Sequence, residues 1–181
     1  MALRYRWEVR NNMPDRSLAE LPVFGICGSR SSGKTTLIES LIPRFVADGV
    51  RVAVIKHDAD GIDVDKPGKD TDRFFQAGAT VFANDSTQSF LRRHLAASAD
   101  VLDAAVRELA KDHDLILVEG HKQTQLPARI WLSGPSGDEA PVQTSPPLAT
   151  FSLEVDRPPI TYALVTSWLQ KQAQSRVPVS E

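Results

Sequence analysis

A chain of 181 residues, 41% of them hydrophobic and 24% charged, has the apolar content of one ordinary globular core and too much of it for a disordered chain. Its net charge of −2 excludes a broad electrostatic surface for nucleic acid or anionic lipid, so any phosphate it binds must be met by a local site. The single cysteine, Cys27, excludes an internal disulfide framework, and no run approaches the roughly 20 apolar residues of a membrane span, so a cytoplasmic protein with a small phosphorylated ligand is expected.

Residues 1–20 are polar and weakly patterned, with turn signals at Asn11-Asn12 and Pro14-Asp15, and read as an extension before a domain over 21–181. Pro22-Val-Phe-Gly-Ile-Cys27 is a short apolar run that leads into a Gly- and Ser-rich stretch. Leu37, Ile38, Leu41, Ile42 and Phe45 then follow at helical spacing, which gives strand, loop, helix. Pro43 is expected to bend or end that helix, Gly49 marks its exit, and Val50 to Ile55 is a second buried strand. A polar loop runs from Lys56 to Asp70, a helix from Thr71 to Ala77 stops at Gly78, and a strand resumes from Ala79 to Ala83.

Leu102, Ala105, Val106 and Leu109 share a helical face, and Asp114 to Glu119 has the form of a buried strand that ends in an acid. Another strand spans Ala128 to Leu132. Residues 133–147 collect Ser, Gly and Pro without apolar periodicity and read as a mobile surface loop. A strand near Leu148 to Leu153 and a helix from about Ile160 to Gln172 complete the series. Strands alternating with helices predict an α/β fold, a mostly parallel sheet with helices on both faces and ligands at the carboxyl ends of its strands.

The chemistry concentrates in Gly28-Ser29-Arg30-Ser31-Ser32-Gly33-Lys34-Thr35, which fits the GxxxxGK[ST] pattern of a P-loop and lies after a strand and at the start of a helix. Its glycines let successive N–H groups wrap phosphates, and the helix N-terminus adds partial positive charge. Lys34 is expected at the β- and γ-phosphates and the Thr35 hydroxyl at Mg²⁺, with Thr36 beside them. An acid at a strand end should help to hold the metal. Glu119, followed by Gly120, competes for that role with Asp58 and Asp60 beyond the strand that ends at Ile55. Asn-Lys-x-Asp, the guanine-reading signature of switch GTPases, is absent, and so is the lysine that partition-type ATPases place where this loop has Ser29.

Lys56-His57-Asp58, then Asp63-Val-Asp65-Lys-Pro67-Gly68-Lys69-Asp70-Thr-Asp-Arg73, then Val118-Glu119-Gly120-His121-Lys122, taken with the P-loop, closely resemble the MobB family, molybdopterin-guanine dinucleotide biosynthesis protein B, over roughly Val23 to Ile130. The resemblance implies a P-loop NTPase fold and a GTP-binding, Mg²⁺-dependent accessory protein with at most slow GTP hydrolysis. It further implies help in converting molybdopterin to its guanine dinucleotide, association with the separate guanylyltransferase MobA, and a homodimer. It also carries Lys34 and Thr35 over as phosphate and metal residues and Glu119 as the acid near the metal. No catalytic residue is assigned.

The residues Lys56, His57, Asp63, Asp65, Lys69, Asp70 and Arg73 form a charged, turn-rich segment that can order on a ligand. The plainer alternative has Asp70 capping a helix and pairing with Arg73. His57 with Asp58 lacks a third metal ligand at reliable spacing, and His94 and His113 read as solvated. Two rival functions stand beside the accessory role. One is a P-loop kinase of a small metabolite, for which Arg92-Arg93 is the only adjacent arginine pair after the loop and hence a thin lid; the other is a GTPase switch.

Overall fold

Val23–Gly28, β1, is buried along its whole length because it runs through the middle of a five-stranded sheet. The other strands are β2 (Val52–Lys56), β5 (Leu115–Glu119), β6 (Ala128–Leu132) and β7 (Ala149–Phe151), in the order β2-β5-β1-β6-β7 with every pairing parallel. The computed structural model describes residues 17–58, 61–96, 100–141 and 145–175. The first sixteen residues of the expected extension, Asp60, and residues 142–144 of the expected surface loop lie outside them. The described residues form two compact units, one reaching to His57 and resuming at Leu102, the other Asp58 to Val101.

In the first unit β1, β5 and β6 are buried along their whole length because both faces of the sheet are covered there, whereas the edge strand β2, expected to be buried, leaves Val54 exposed. Phe24, Ile26, Leu115, Leu117, Ile130 and Leu132 pack with Leu37, Leu41 and Phe45 of α1 (Lys34–Ala47) and with Val165, Trp168 and Leu169 of α4 (Arg157–Gln174). Their neighbours Val23, Cys27, Ile116, Val118 and Trp131 turn to the opposite face and pack with Leu102 and Val106 of α3 (Val101–Leu109). The predicted architecture, a parallel sheet with helices on both faces, is what the chain adopts.

α1 runs four residues beyond Pro43 and does not end there. It stops where Gly49, at φ +78°, takes the left-handed conformation that lets the Val50 N–H turn back to donate to the Phe45 carbonyl at 2.9 Å. α4 begins three residues before the predicted start, and an edge-to-face contact between Phe24 and Trp168, ring centroids 5.5 Å apart, fixes it on β1.

The second unit departs further from expectation. The strand foreseen from Ala79 to Ala83 appears as β3 (Val81–Asn84), but it pairs antiparallel with β4 (Ser89–Arg92), a strand not predicted, in a sheet of its own. The turn between them is built by Asp85, whose Oδ1 accepts from the N–H groups of Thr87 and Gln88 at 2.7 and 2.9 Å and from the Thr87 hydroxyl at 2.8 Å. Those bonds favour the ionised form and hold the Asp85 carboxyl at about 2. In α2 (Asp70–Gln76) the expected pair of Asp70 with Arg73 does not form. Asp70 accepts only from the next N–H, that of Thr71; Asp72 accepts from Gly68 N at 2.9 Å and pairs with Arg92 at 2.9 Å. Arg92 also lies 3.8 Å over the Phe75 ring, and His94 stacks on that ring at 3.9 Å, so His94, exposed as it is, has a partner that solvation alone does not supply.

Because Trp168 ties α4 to the central strand, Trp168→Ala should lower stability by about 3 to 5 kcal/mol. Urea unfolding should record this as a lower midpoint at an unchanged slope; a midpoint within 0.2 M of the parent chain's, taken roughly, would show that α4 is held by other contacts.

Candidate functional site

The loop between β1 and α1 leaves the sheet at its carboxyl edge, and its geometry follows from three close contacts. Gly28 has no space for a side chain: a Cβ there would lie 2.3 Å from the Leu132 carbonyl oxygen and 2.8 Å from Ser32 Oγ. Ser31 and Gly33 both take positive φ, 58° and 83°, which wraps the chain into a tight bend. On its flank the Ser29 N–H donates to the Leu132 carbonyl at 3.3 Å, which fixes the start of the loop to β6. Arg30 and Ser31 are exposed, Ser32 is fully buried, and Thr35 and Thr36 lie exposed on the first turn of α1.

Lys34 reaches back across this bend. Its Nζ donates to the carbonyls of Gly28 and Ser29 at 3.3 and 2.5 Å and approaches Ser32 Oγ at 3.5 Å. Burial lowers its pKa; Glu119 opposes that shift and Lys122 adds to it by like-charge repulsion. An anion placed here would relieve both unfavourable effects.

Beside the lysine, the Thr35 hydroxyl donates to Glu119 Oε1 at 3.1 Å. Sheet register makes that meeting: Glu119, the last residue of β5, is level with Ile26 of β1 and with Lys56 of β2. Glu119 is only 9% exposed, and its neighbour Gly120 has φ +87°, turning the chain so that its carbonyl accepts from Cys27 Sγ at 3.0 Å. Burial pushes the Cys27 thiol up, against the smaller opposing effects of Arg129 and Lys34. Cys27 is thus an inert packing residue.

The candidate residues divide between the two units. Gly28 to Thr36, Lys56, His57 and Glu119 belong to the first, and the His57 ring lies 5.2 Å from that of His121, which sits at a strained φ of 47°. Asp58, Asp63, Asp65, Lys69, Asp70 and Arg73 belong to the second. There Asp63, Lys69, Asp70 and Arg73 are exposed, and Asp65 Oδ1 accepts from the Lys66 N–H at 2.8 Å. Among the described residues no three His, Cys, Asp or Glu side chains gather as a metal cage.

Sequence reasoning missed Arg157. It opens α4, is 8% exposed, and its guanidinium donates to the Ser32 carbonyl inside the loop. No spacing rule links it to the P-loop, because it is 125 residues from Ser32. His113, read as solvated, instead places Nδ1 2.9 Å from the Leu109 carbonyl at the end of α3.

Residues 23–149 match the family model of MobB, molybdopterin guanine dinucleotide synthesis protein B. The chain belongs to the MobB family. Among the relatives of that family, a molybdopterin-guanine dinucleotide biosynthesis adapter protein of Haemophilus influenzae is 40% identical over 111 residues, 60% of this chain and 61% of the relative. The adapter protein of the same description from Escherichia coli K12 is 37% identical over 109 residues, 59% of this chain and 62% of that one. The chain therefore spans about three-fifths of the length of the curated relatives it matches. Two solved MobB structures share the fold. A molybdopterin-guanine biosynthesis protein B superposes at a TM-score of 0.64 with 24% identity, covering 82% of this chain and 99% of its own. A MobB homolog from Bacillus stearothermophilus superposes at 0.54 with 24% identity, covering 86% and 100%.

Gly28→Ala forces either the loop or β6 to move, so the variant should lose roughly 1 to 3 kcal/mol of stability. Thermal unfolding measures it; a variant as stable as the parent would mean that the loop is not packed against Leu132 as described.

Proposed function

We propose that this MobB-family chain binds Mg²⁺-GTP through Gly28 to Thr36 and acts as an accessory protein in molybdenum cofactor biosynthesis, assisting conversion of molybdopterin to its guanine dinucleotide. The observation that carries the site assignment is the meeting of Thr35 Oγ1 with Glu119 Oε1 at 3.1 Å beside the Lys34 ammonium. Mg²⁺ takes hard oxygen ligands at 2.0–2.1 Å in octahedral geometry, so adjacent ligand oxygens lie about 3 Å apart. The 3.1 Å between Thr35 Oγ1 and Glu119 Oε1 is compatible with both oxygens serving one such ion. When bound, the ion would neutralise phosphate charge. Thr35 would hold it directly, Glu119 directly or through water, and Lys34 would meet the β- and γ-phosphates. Glu119 is favoured over Asp58 because it already shares a hydrogen bond with the metal-binding hydroxyl.

Family membership and the adapter descriptions of the relatives support the pathway role, in which the guanylyl transfer itself belongs to a separate enzyme, MobA, and this chain works in the cytoplasm as a homodimer bound to GTP. Asp63, Asp65, Lys69, Asp70 and Arg73 of the second unit form a charged segment that could order on molybdopterin or its guanine dinucleotide. The domain is taken to span 21–181, with 133–147 as a loop. The kinase alternative is weakened by Arg92, which is already engaged with Asp72 and Phe75 and so is poorly placed to move as a lid. Hydrolysis by the chain alone should be slow, as the family resemblance implies.

Lys34→Ala should weaken Mg²⁺-GTP by about 1.5 to 3 kcal/mol, roughly ten- to a hundred-and-fifty-fold, while the fold persists. Calorimetric titration decides this, and unchanged affinity would remove the phosphate-site assignment. The same preparation should turn GTP over far below the ~1 to 10³ per second of dedicated enzymes. Several turnovers per second from the isolated chain would make it an enzyme in its own right.

A further inference from the structure

Arg157 is a buried cation with no carboxylate partner among the described residues. Its Nε donates to the Ser152 carbonyl at 2.9 Å, one terminal nitrogen to the Ser32 carbonyl and the other to the Ser133 carbonyl at 3.4 Å. Those acceptors are all main-chain oxygens, and among the described residues no carboxylate pairs with it. Burial lowers its pKa, with no charged neighbour acting the other way. A guanidinium so placed is costly to desolvate unless an anion compensates it.

Its position relative to the loop supplies the anion's identity. A trans peptide points its C=O and its N–H to opposite sides of the chain, and no described peptide bond is cis. Holding the Ser32 carbonyl on the Arg157 side therefore turns the Gly33 N–H away from Arg157. A cation on the carbonyl also polarises the peptide and makes its N–H a stronger donor. Gly33 keeps this arrangement open: it sits at φ +83°, and a Cβ there would approach the same guanidinium nitrogen to 3.4 Å.

We propose that Arg157 is a positioning residue of the phosphate site, which holds the Ser32–Gly33 peptide with its N–H aimed at the ligand and brings a buried positive charge whose counter-ion is the di- or triphosphate of a bound nucleotide. This rests on the loop being a phosphate site. It extends that site to the N-terminus of α4, beyond the segment that matches the family.

The test uses the full chain, labelled with ¹⁵N, and GTP with Mg²⁺ as the probe. Arg157→Gln should bind GTP about tenfold more weakly, and Arg157→Lys should recover part of that loss because it restores the charge and one donor. In the parent chain the Gly33 amide proton should move downfield when GTP is added, and in Arg157→Gln it should move less. A merely structural role for Arg157 would lower stability without changing the Gly33 response. A folded Arg157→Gln with parental affinity and a parental Gly33 shift overturns the proposal. Should that variant not fold, a Gly33 amide that fails to move in the parent chain overturns it equally. A parent chain that does not bind GTP at all sinks the phosphate-loop reading itself, separately from the part given to Arg157.

Discussion

The hydrogen bond from Thr35 to Glu119 is the contact on which the arrangement of the site depends, and it exists because two parallel strands are neighbours in a fixed register. β1 delivers the chain into the loop, and β5, one position away in the sheet, delivers an acid at the level of Ile26. A one-residue slip of β5 would turn Glu119 to the opposite face and bury its neighbour's side chain in its place. Register is protected against that slip by the two apolar layers, since Leu115 and Leu117 belong to one and Ile116 and Val118 to the other. The core on both faces thus holds Thr35 Oγ1 and Glu119 Oε1 together.

Charge completes the design. Lys34 and Lys122 bring positive charge to the loop, and Arg157 donates to its Ser32 carbonyl, while Glu119 acts on Lys34 with opposite sign. Such an excess of buried or half-buried cation is unfavourable by itself, as the lowered pKa values of Lys34 and Arg157 indicate. A phosphate bound there would reverse that penalty. The site is therefore strained electrostatically in a direction that a polyphosphate ligand relieves, while backbone donors supply the shape.

How much of this was legible in the sequence depended on how local each feature is. The P-loop is contiguous, and β5 announces itself as an apolar run with an acid at its end, so the residues from Gly28 to Thr36 and Glu119 could be named in advance. Parallel pairing was legible too, because strands buried on both faces carry no polar alternation. In the second unit α2 and β3 were legible, and β4 with its antiparallel pairing was not. Its β4 is four residues long with mixed polarity, and its stability relies on Asp85 building a turn and on Asp72 pairing with Arg92 across 20 positions, neither of which periodicity encodes. Pro43 does not end α1, because packing of Leu41 and Phe45 in the core carries the helix past it. Arg157 was invisible for the opposite reason, being an arginine before two prolines whose partner lies far away in the chain.

Thr35 and Glu119 are proposed to serve jointly a magnesium ion that accompanies GTP. Calorimetric titration of GTP into the parent chain and into Glu119→Gln, each with Mg²⁺ and with EDTA, measures it most directly. The parent chain should bind GTP at least about tenfold more tightly with the metal, a difference of roughly 1.4 kcal/mol, and Glu119→Gln should lose most of that difference while keeping its metal-free affinity. Equal affinities with and without Mg²⁺ in the parent chain, or a metal dependence that Glu119→Gln leaves intact, would contradict it.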